Sequence, residues 1–205
     1  MTQPPTAGAV HLVDDEAAVR DALQFLFESH GLEVRAYDGG AALLQALDAR
    51  APLRGCVLLD VRMEPVSGLQ VHDELMRRGV RIPVIFLSGH GDIPMAVEAL
   101  KKGAFDFVEK PFGDATLVAR VHDAMTADAQ IQQAESLGNQ LETRLAALTQ
   151  RERDVMLRVA AGKLNKVIAS ELNVSMRTVE VYRSRVYDKL GIRSAAELAT
   201  LLASQ

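Results

Sequence analysis

Cys56-Val57-Leu58-Leu59-Asp60-Val61-Arg62-Met63 begins as an apolar run and is interrupted by an acid at Asp60. The apolar part has the length and the Val/Leu content of a β-strand. Four more strand-length runs accompany it: Val10 to Asp14, Glu33 to Tyr37, Pro83 to Ser88 and Asp106 to Lys110. Helix-period segments lie between them, such as Ala17 to His30, where Val19, Leu23, Leu26 and Phe27 share one face. Gly31, Gly79 and Gly103 follow three of these segments as helix stops. Five strands alternating with helices predict an α/β fold with a doubly wound, five-stranded parallel sheet. Ligands of such sheets sit at the carboxyl ends of the strands.

The strand ends carry a consistent chemistry. The first run ends in Asp14-Asp15, the third in Asp60, the fourth in Ser88 and the fifth in Lys110-Pro111. A parallel sheet brings these side chains to one edge as three carboxylates, a hydroxyl and an ammonium. Each residue alone is ordinary turn or cap chemistry; their joint order on successive strand ends carries the reading. Clustered carboxylates repel, and a divalent cation relieves that repulsion. Oxygen donors in small number suit Mg²⁺, which shares its coordination with phosphate. One carboxylate is then placed to attack phosphorus, with the metal and Lys110 neutralising charge on the phosphoryl oxygens. A metal-dependent phosphatase would use similar acids, but it also needs a cap domain to exclude water, and residues 9–125 leave no room for one.

Composition limits the remaining classes. Hydrophobic residues make up 48% and charged residues 24% of the 205, ordinary for a globular chain. No apolar run reaches the roughly 18 residues needed to cross a bilayer, and residues 1–8 lack the features of a secretory signal and read as a disordered leader. The single cysteine, Cys56, precludes an intrachain disulfide and fits a reducing cytoplasm; its apolar neighbours predict a buried, inert thiol. The five histidines show no metal-ligand spacing. The net charge of −4 divides unevenly: residues 1–148 hold 13 Lys and Arg against 21 Asp and Glu, and residues 149–205 hold 10 against 6, giving −8 and +4. A basic tail is where an anionic polymer would bind.

From about Leu117 the pattern is helical and stays so. Ile131, Ala134, Gly138, Leu141, Leu145 and Leu148 recur at steps of three and four, which fits equally a linker that pairs with its copy and a solvated connecting helix. Thr149 and Glu152 form a capping box at the start of a compact all-helical tail. Helices are expected at Asn165 to Leu172, at Met176 to Leu190 with Ser175 as N-cap, and at Ser194 to Leu202. Val174, Val179, Val186 and Leu190 are expected in the tail's core, leaving Arg177, Glu180, Arg183, Ser184 and Arg185 to point outward.

Val13-Asp14-Asp15-Glu16, Leu58 to Met63, Leu87-Ser88-Gly89-His90-Gly91-Asp92 and Phe107-Val108-Glu109-Lys110-Pro111-Phe112 together resemble the motifs of response-regulator receiver domains, over about Ala9 to Met125. The resemblance implies a flavodoxin-like receiver with Asp60 as phosphoacceptor. It implies Mg²⁺ held by Asp14, Asp15, Asp60 and the backbone carbonyl of Arg62, one acid acting through water. It makes Ser88 the switch hydroxyl, Phe107 the rotating aromatic and Lys110 the phosphate-contacting lysine, with Lys110-Pro111 in the cis form. The sequence departs from the family at Glu64, where a proline is usual; Pro65 follows, and Gly68 keeps its place.

Leu148 to Val155, Asn165 to Leu172, Ser175 to Val181, Lys189-Leu190-Gly191 and Glu197-Leu198 resemble LuxR-type helix-turn-helix domains. Receiver and tail together are similar to the NarL/FixJ family of response regulators, on its FixJ-like branch. The implied organisation is a receiver over 9–125, a helical linker over 126–147 and a small all-α DNA-binding domain over 148–205. The implied activity is phosphorylation of Asp60 by a sensor histidine kinase in a Mg²⁺-dependent self-reaction, not conventional enzyme catalysis. A homodimer would then bind promoter DNA and engage RNA polymerase, activating transcription in the cytoplasm with no membrane partner. The second helix of a helix-turn-helix enters the major groove. Glu180, Val181, Ser184 and Arg185 are therefore expected on base edges, and Lys166, Arg177, Thr178 and Lys189 on phosphates.

Overall fold

The computed structural model describes residues 8–49, 53–89 and 93–203. The leader expected over 1–8 lies outside them apart from Gly8, as does His90 of the loop after Ser88. The chain divides into two compact units, Met1–Gln133 and Ala134–Gln205.

The first unit contains five strands: β1 (Ala9–Val13), β2 (Val34–Tyr37), β3 (Gly55–Asp60), β4 (Val84–Ser88) and β5 (Asp106–Glu109). Between them run α1 (Ala17–Ser29), α2 (Gly40–Ala49), α3 (Gly68–Arg77) and α4 (Ile93–Lys101). All four strand pairings are parallel, in the order β2-β1-β3-β4-β5. The expected doubly wound sheet is therefore present, with its topological switch point between β1 and β3.

Period-two alternation divides the core into two layers. Val10 and Leu12 of β1, Cys56 and Leu58 of β3, and Ile85 and Leu87 of β4 face Leu23 and Phe27 of α1 together with Leu117 and Val121. The intervening residues Val13, Val57, Leu59, Val84 and Phe86 face Leu43 of α2, Val71 and Leu75 of α3, and Ala99 of α4. Burying each such Leu, Ile or Phe side chain contributes about 1.5–3 kcal/mol. Cys56 is fully buried as expected, and burial pushes its thiol pKa up to about 12, which removes it from thiolate chemistry.

The helical linker expected over 126–147 continues the helix before it: α5 spans Asp114–Ala146 as one helix of 33 residues and passes through Gly138 unbroken. Alanine, glutamine and glutamate dominate this stretch, and their helix propensity outweighs the roughly 1 kcal/mol cost of a single glycine. Near its middle, the carboxylate of Asp128 accepts hydrogen bonds from Gly55 N at 2.8 Å and from Gln132 Nε2, anchoring α5 to the start of β3.

The second unit packs α6 (Gln150–Ala160), α7 (Asn165–Leu172), α8 (Met176–Leu190) and α9 (Ala195–Ala203) around Val155, Val159, Ile168, Val179, Val186, Leu190 and Leu198. Both predicted caps are formed: Thr149 and Glu152 cap α6 reciprocally, and Ser175 Oγ accepts from Thr178 N at 3.0 Å. Asn173 closes α7 in the left-handed conformation (φ 53°), a backbone region that asparagine tolerates better than most residues. That tight turn sets α8 against α7.

Candidate functional site

Three strand ends meet at the carboxyl edge of the sheet. Asp60 is the last residue of β3, Asp14 follows β1, and Lys110 follows β5. Lys110 Nζ donates to Asp60 Oδ1 at 2.7 Å and to Asp14 Oδ2 at 3.2 Å. The two carboxylates thus flank the β1/β3 switch point with a cation between them. Asp60 is 7% exposed and Asp14 1%, so neither is well solvated, and both are held by main-chain donors as well. Arg62 N donates to Asp60 Oδ2 at 2.7 Å, and Glu16 N to Asp14 Oδ1 at 2.9 Å. Arg20, which carries no sequence signal for this role, donates from Nη1 to the Asp14 carbonyl at 2.8 Å.

Burial raises the pKa of Asp60 above the usual carboxylate value; the hydrogen bond and charge of Lys110 oppose this, and Asp14 reinforces it. Burial also disfavours the charge on Lys110, but Asp60 and Asp14 outweigh it and leave the ammonium pKa above that of an ordinary lysine. The result is a partly desolvated carboxylate oxygen beside a fixed positive charge.

The backbone leaves room for this arrangement only with glycine at position 68. A Cβ on Gly68 would lie 2.2 Å from the Asp60 carbonyl oxygen. Its N–H donates to the Val61 carbonyl at 3.1 Å, so the start of α3 lies directly against the phosphoacceptor candidate. Ser67 and Gln70 form a capping box that fixes this helix start.

Ser88 ends β4 in a buried position, with its hydroxyl donating to the Gly89 carbonyl at 3.2 Å. Lys110 N donates to the Ser88 carbonyl at 2.6 Å, tying the fifth strand end to the fourth. Phe107 is half-buried against Phe86, ring centroids 6.5 Å apart. Asp15 and Glu64 are exposed, and both Glu64-Pro65 and Lys110-Pro111 are cis. Among the described residues no three His, Cys, Asp or Glu side chains converge on one point. The donor set nevertheless suits a hard cation: Asp14 and Asp60 already share one charged ligand, Asp15 adjoins them in sequence, and all offer oxygen.

In the second unit, Arg177, Glu180, Val181, Ser184 and Arg185 are all exposed on α8. Their spacing of three, one, three and one makes a single stripe opposite the buried Val179, Val186 and Leu190. Lys166 is exposed on α7, whereas Thr178 is half-buried with its hydroxyl 2.8 Å from Ser175 Oγ. Two of the expected outward residues make contacts between helices. Lys189, expected on phosphate, sends its ammonium to Glu152 Oε2 at 2.7 Å and to the Ala147 carbonyl at 3.0 Å. Arg183, expected to point outward, donates to Asn165 Oδ1 at 2.6 Å and to the Tyr187 hydroxyl at 2.8 Å, with its guanidinium over the Tyr187 ring. Both bridge helices, a role that pairing across 18 or more residues leaves invisible to local pattern.

The comparisons agree with both halves of this geometry. Residues 10–122 match the response regulator receiver domain, and residues 146–202 match the bacterial regulatory proteins of the luxR family. The chain belongs to the NarL/FixJ family of response regulators. It is 46% identical over 198 residues to the transcriptional regulatory protein FixJ of Azorhizobium caulinodans, covering 96% of this chain and 92% of that protein. It is 48% identical over 202 residues to the C4-dicarboxylate transport transcriptional regulatory protein DctR of Rhodobacter capsulatus, covering 94% and 98%. Among solved structures, the response regulator StyR superposes with a TM-score of 0.88 at 37% identity over 97% of this chain and 99% of that one. Full-length FixJ from B. japonicum does so with a TM-score of 0.60 at 40% identity, covering 95% of each. This response regulator is therefore a two-component transcriptional regulator, a receiver joined to a LuxR-type DNA-binding domain. None of its helices, among the described residues, is long and apolar enough to cross a membrane.

Proposed function

We propose that Asp60 is the phosphoacceptor and that its phosphorylation drives the receiver into a dimer whose two helix-turn-helix units bind promoter DNA together. The observation that carries this reading is the Lys110 ammonium shared between Asp60 and Asp14 at the sheet's switch point. A carboxylate oxygen of Asp60 forms the new O–P bond as the P–N bond to a kinase phosphohistidine breaks, the electron pair leaving with the imidazole. Lys110 moves with the charge, exchanging its contact with the carboxylate for one with a phosphoryl oxygen. Asp14, Asp15, Asp60 and the Arg62 carbonyl are the groups that would hold Mg²⁺, which when bound neutralises charge on the transferring phosphoryl group.

Phosphate adds charge and acceptors at the end of β3. The Ser88 hydroxyl turns from the Gly89 carbonyl toward them, and Phe107 fills the space that is left. The face that responds comprises α4, β5 and the start of α5, where a second receiver docks. The paired tails then present two α8 helices to DNA, with Glu180, Val181, Ser184 and Arg185 at base edges and Arg177, Thr178 and Lys166 nearer phosphates. Recruitment of RNA polymerase in the cytoplasm and activation of the target promoter complete the reading.

Light scattering with Mg²⁺, before and after beryllofluoride, tests it. The wild type is expected to pass from monomer to dimer, and Asp60→Asn to remain monomeric. Equal dimerisation of the two would remove Asp60 from the role.

A further inference from the structure

At the opposite pole of the first unit from Asp60, where β4 and β5 begin, lies a cleft of about 580 Å³. That is within the usual range for small-molecule sites. Its walls are apolar: Leu75 from α3, Ile82 and Val84 at the start of β4, Phe105 before β5, and Ala127 and Ile131 from α5. Two polar groups interrupt them. His72 is only 2% exposed, its ring edge stands against Phe86 at 5.5 Å, and among the described residues it has no hydrogen-bond partner. Burial lowers its pKa, more than the nearby charges of Asp73 and Lys102 alter it, and so keeps the ring neutral. Arg81 stands exposed at the rim with no ion pair among the described residues.

The cleft reaches the His72 ring, whose nitrogens are open to it rather than sealed and orphaned. The arginines at the end of α3, Arg77 and its C-cap Arg78, are both paired with Glu74, whereas Arg81 has no ion pair among the described residues. An apolar channel with one cation at its mouth and one neutral donor-acceptor at its floor is complementary to a compact apolar acid.

We propose that this cleft binds a small carboxylate with an apolar body, aromatic or medium-chain. The carboxylate pairs with Arg81 at the rim, the body lies along Ile82, Phe105 and Ile131, and a hydroxyl or carbonyl at the far end meets His72. A guanidinium–carboxylate contact is charge-assisted and can be bidentate, so the site discriminates an acid from its amide.

Calorimetric titration of the full chain with 2-naphthoate, and with 2-naphthamide as the neutral twin, tests the proposal. Saturable binding of one naphthoate per chain is expected, with the amide weaker. Arg81→Gln should weaken naphthoate by roughly fivefold to tenfold and leave the amide unchanged. Ala127→Phe, which fills the cleft from α5, should abolish binding of both while circular dichroism shows the fold retained. Failure of naphthoate to saturate, or binding indifferent to both substitutions, overturns the assignment. Loss of self-association in Ala127→Phe without any naphthoate binding would make the cleft a contact for a second copy instead.

Discussion

Lys189 Nζ lies 2.7 Å from Glu152 Oε2, and Glu152 is 3% exposed. The same oxygen accepts from Thr149 N at 2.8 Å, so one buried carboxylate joins the N-cap of α6 to the last turn of α8. Removing the lysine leaves that carboxylate desolvated beside a single neutral donor. Lys189→Ala is expected to cost the second unit about 2 kcal/mol, seen as an earlier urea midpoint by circular dichroism. Its DNA affinity should fall only as far as folding does. The pair holds Glu152 below the ordinary carboxylate pKa, so its contribution is present above the unfolded value of 4.5 and fades as pH falls through the lower folded value. An unchanged urea midpoint with a shallower salt dependence of DNA binding would return Lys189 to the phosphate-contacting set.

Arg185 offers the contrast. It is exposed on the α8 stripe, so Arg185→Ala should leave the unfolding midpoint in place. Discrimination between specific and random DNA in a fluorescence-anisotropy titration should fall by about 1–3 kcal/mol. Equal losses on both DNAs would reassign it to backbone contact.

Asp60 carries a cost that its proposed chemistry requires. Burial raises its pKa from the model-compound value of 3.8. A folded pKa above the unfolded one means that ionisation penalises the native state, a penalty complete once the pH exceeds the folded value. Asp60→Asn removes the charge, leaves Lys110 to Asp14, and keeps a side-chain oxygen for Arg62 N. Its Tm at pH 7.5 should exceed that of wild type by about 2–4 °C, with acetyl phosphate no longer adding a phosphoryl group by intact-mass measurement. A lower Tm would mean that the Lys110 contact outweighs the desolvation.

Much of this was readable in advance because its signals are local. Strand-length apolar runs, acids at their ends, Thr149 with Glu152 three residues on, and Ser175 ahead of α8 are each encoded within a few residues, and each forms as expected. What stayed hidden depends on partners distant in sequence. Asp128 reaches Gly55, 73 residues away, Lys189 reaches Glu152 across 37, and Arg183 turns inward only because Asn165 is there to receive it. By contrast, the continuous helical pattern from about Leu117 is legible for the same local reason, and α5 runs unbroken from Asp114 to Ala146. The Arg81 and His72 cleft has no motif at all, since its lining comes from α3, two strand starts and α5.

Gly68 tests how tightly the proposed phosphoacceptor is framed. Its missing Cβ would sit 2.2 Å from the Asp60 carbonyl oxygen, a backbone atom that cannot swing aside. Gly68→Ala must therefore displace either β3 or the start of α3, at about 1–3 kcal/mol. The displacement falls on Asp60, the residue proposed to accept phosphate. Acetyl phosphate should label the variant at least about tenfold more slowly than wild type, since misplacements of an ångström at a reacting group are costly. Labelling at the wild-type rate would show that α3 has freedom to retreat without disturbing Asp60.

His11 makes the receiver's stability depend on pH independently of the phosphorylation site. It lies in the middle of β1, 1% exposed, with Nδ1 3.1 Å from the Tyr37 hydroxyl and Nε2 3.3 Å from the Arg54 carbonyl. Desolvation lowers its pKa from 6.5 to about 4, against the opposing Arg54 hydrogen bond. Because the folded pKa lies below the unfolded one, the unfolded chain binds the extra proton, and stability rises with pH across this window. It is fully present above about pH 6.5 and is lost progressively toward pH 4. Between pH 7.5 and pH 5 this one group should remove about 2 kcal/mol from the unfolding free energy. The raised pKa of Asp60 acts in the opposite direction over its own range, so the His11 contribution must be isolated by difference. His11→Gln keeps a polar group facing Tyr37 and Arg54 but cannot titrate. Urea unfolding of wild type and variant at both pH values gives the difference directly. The wild type should lose about 2 kcal/mol more than the variant on acidification, and parallel losses in the two proteins would show that His11 is not the group responsible.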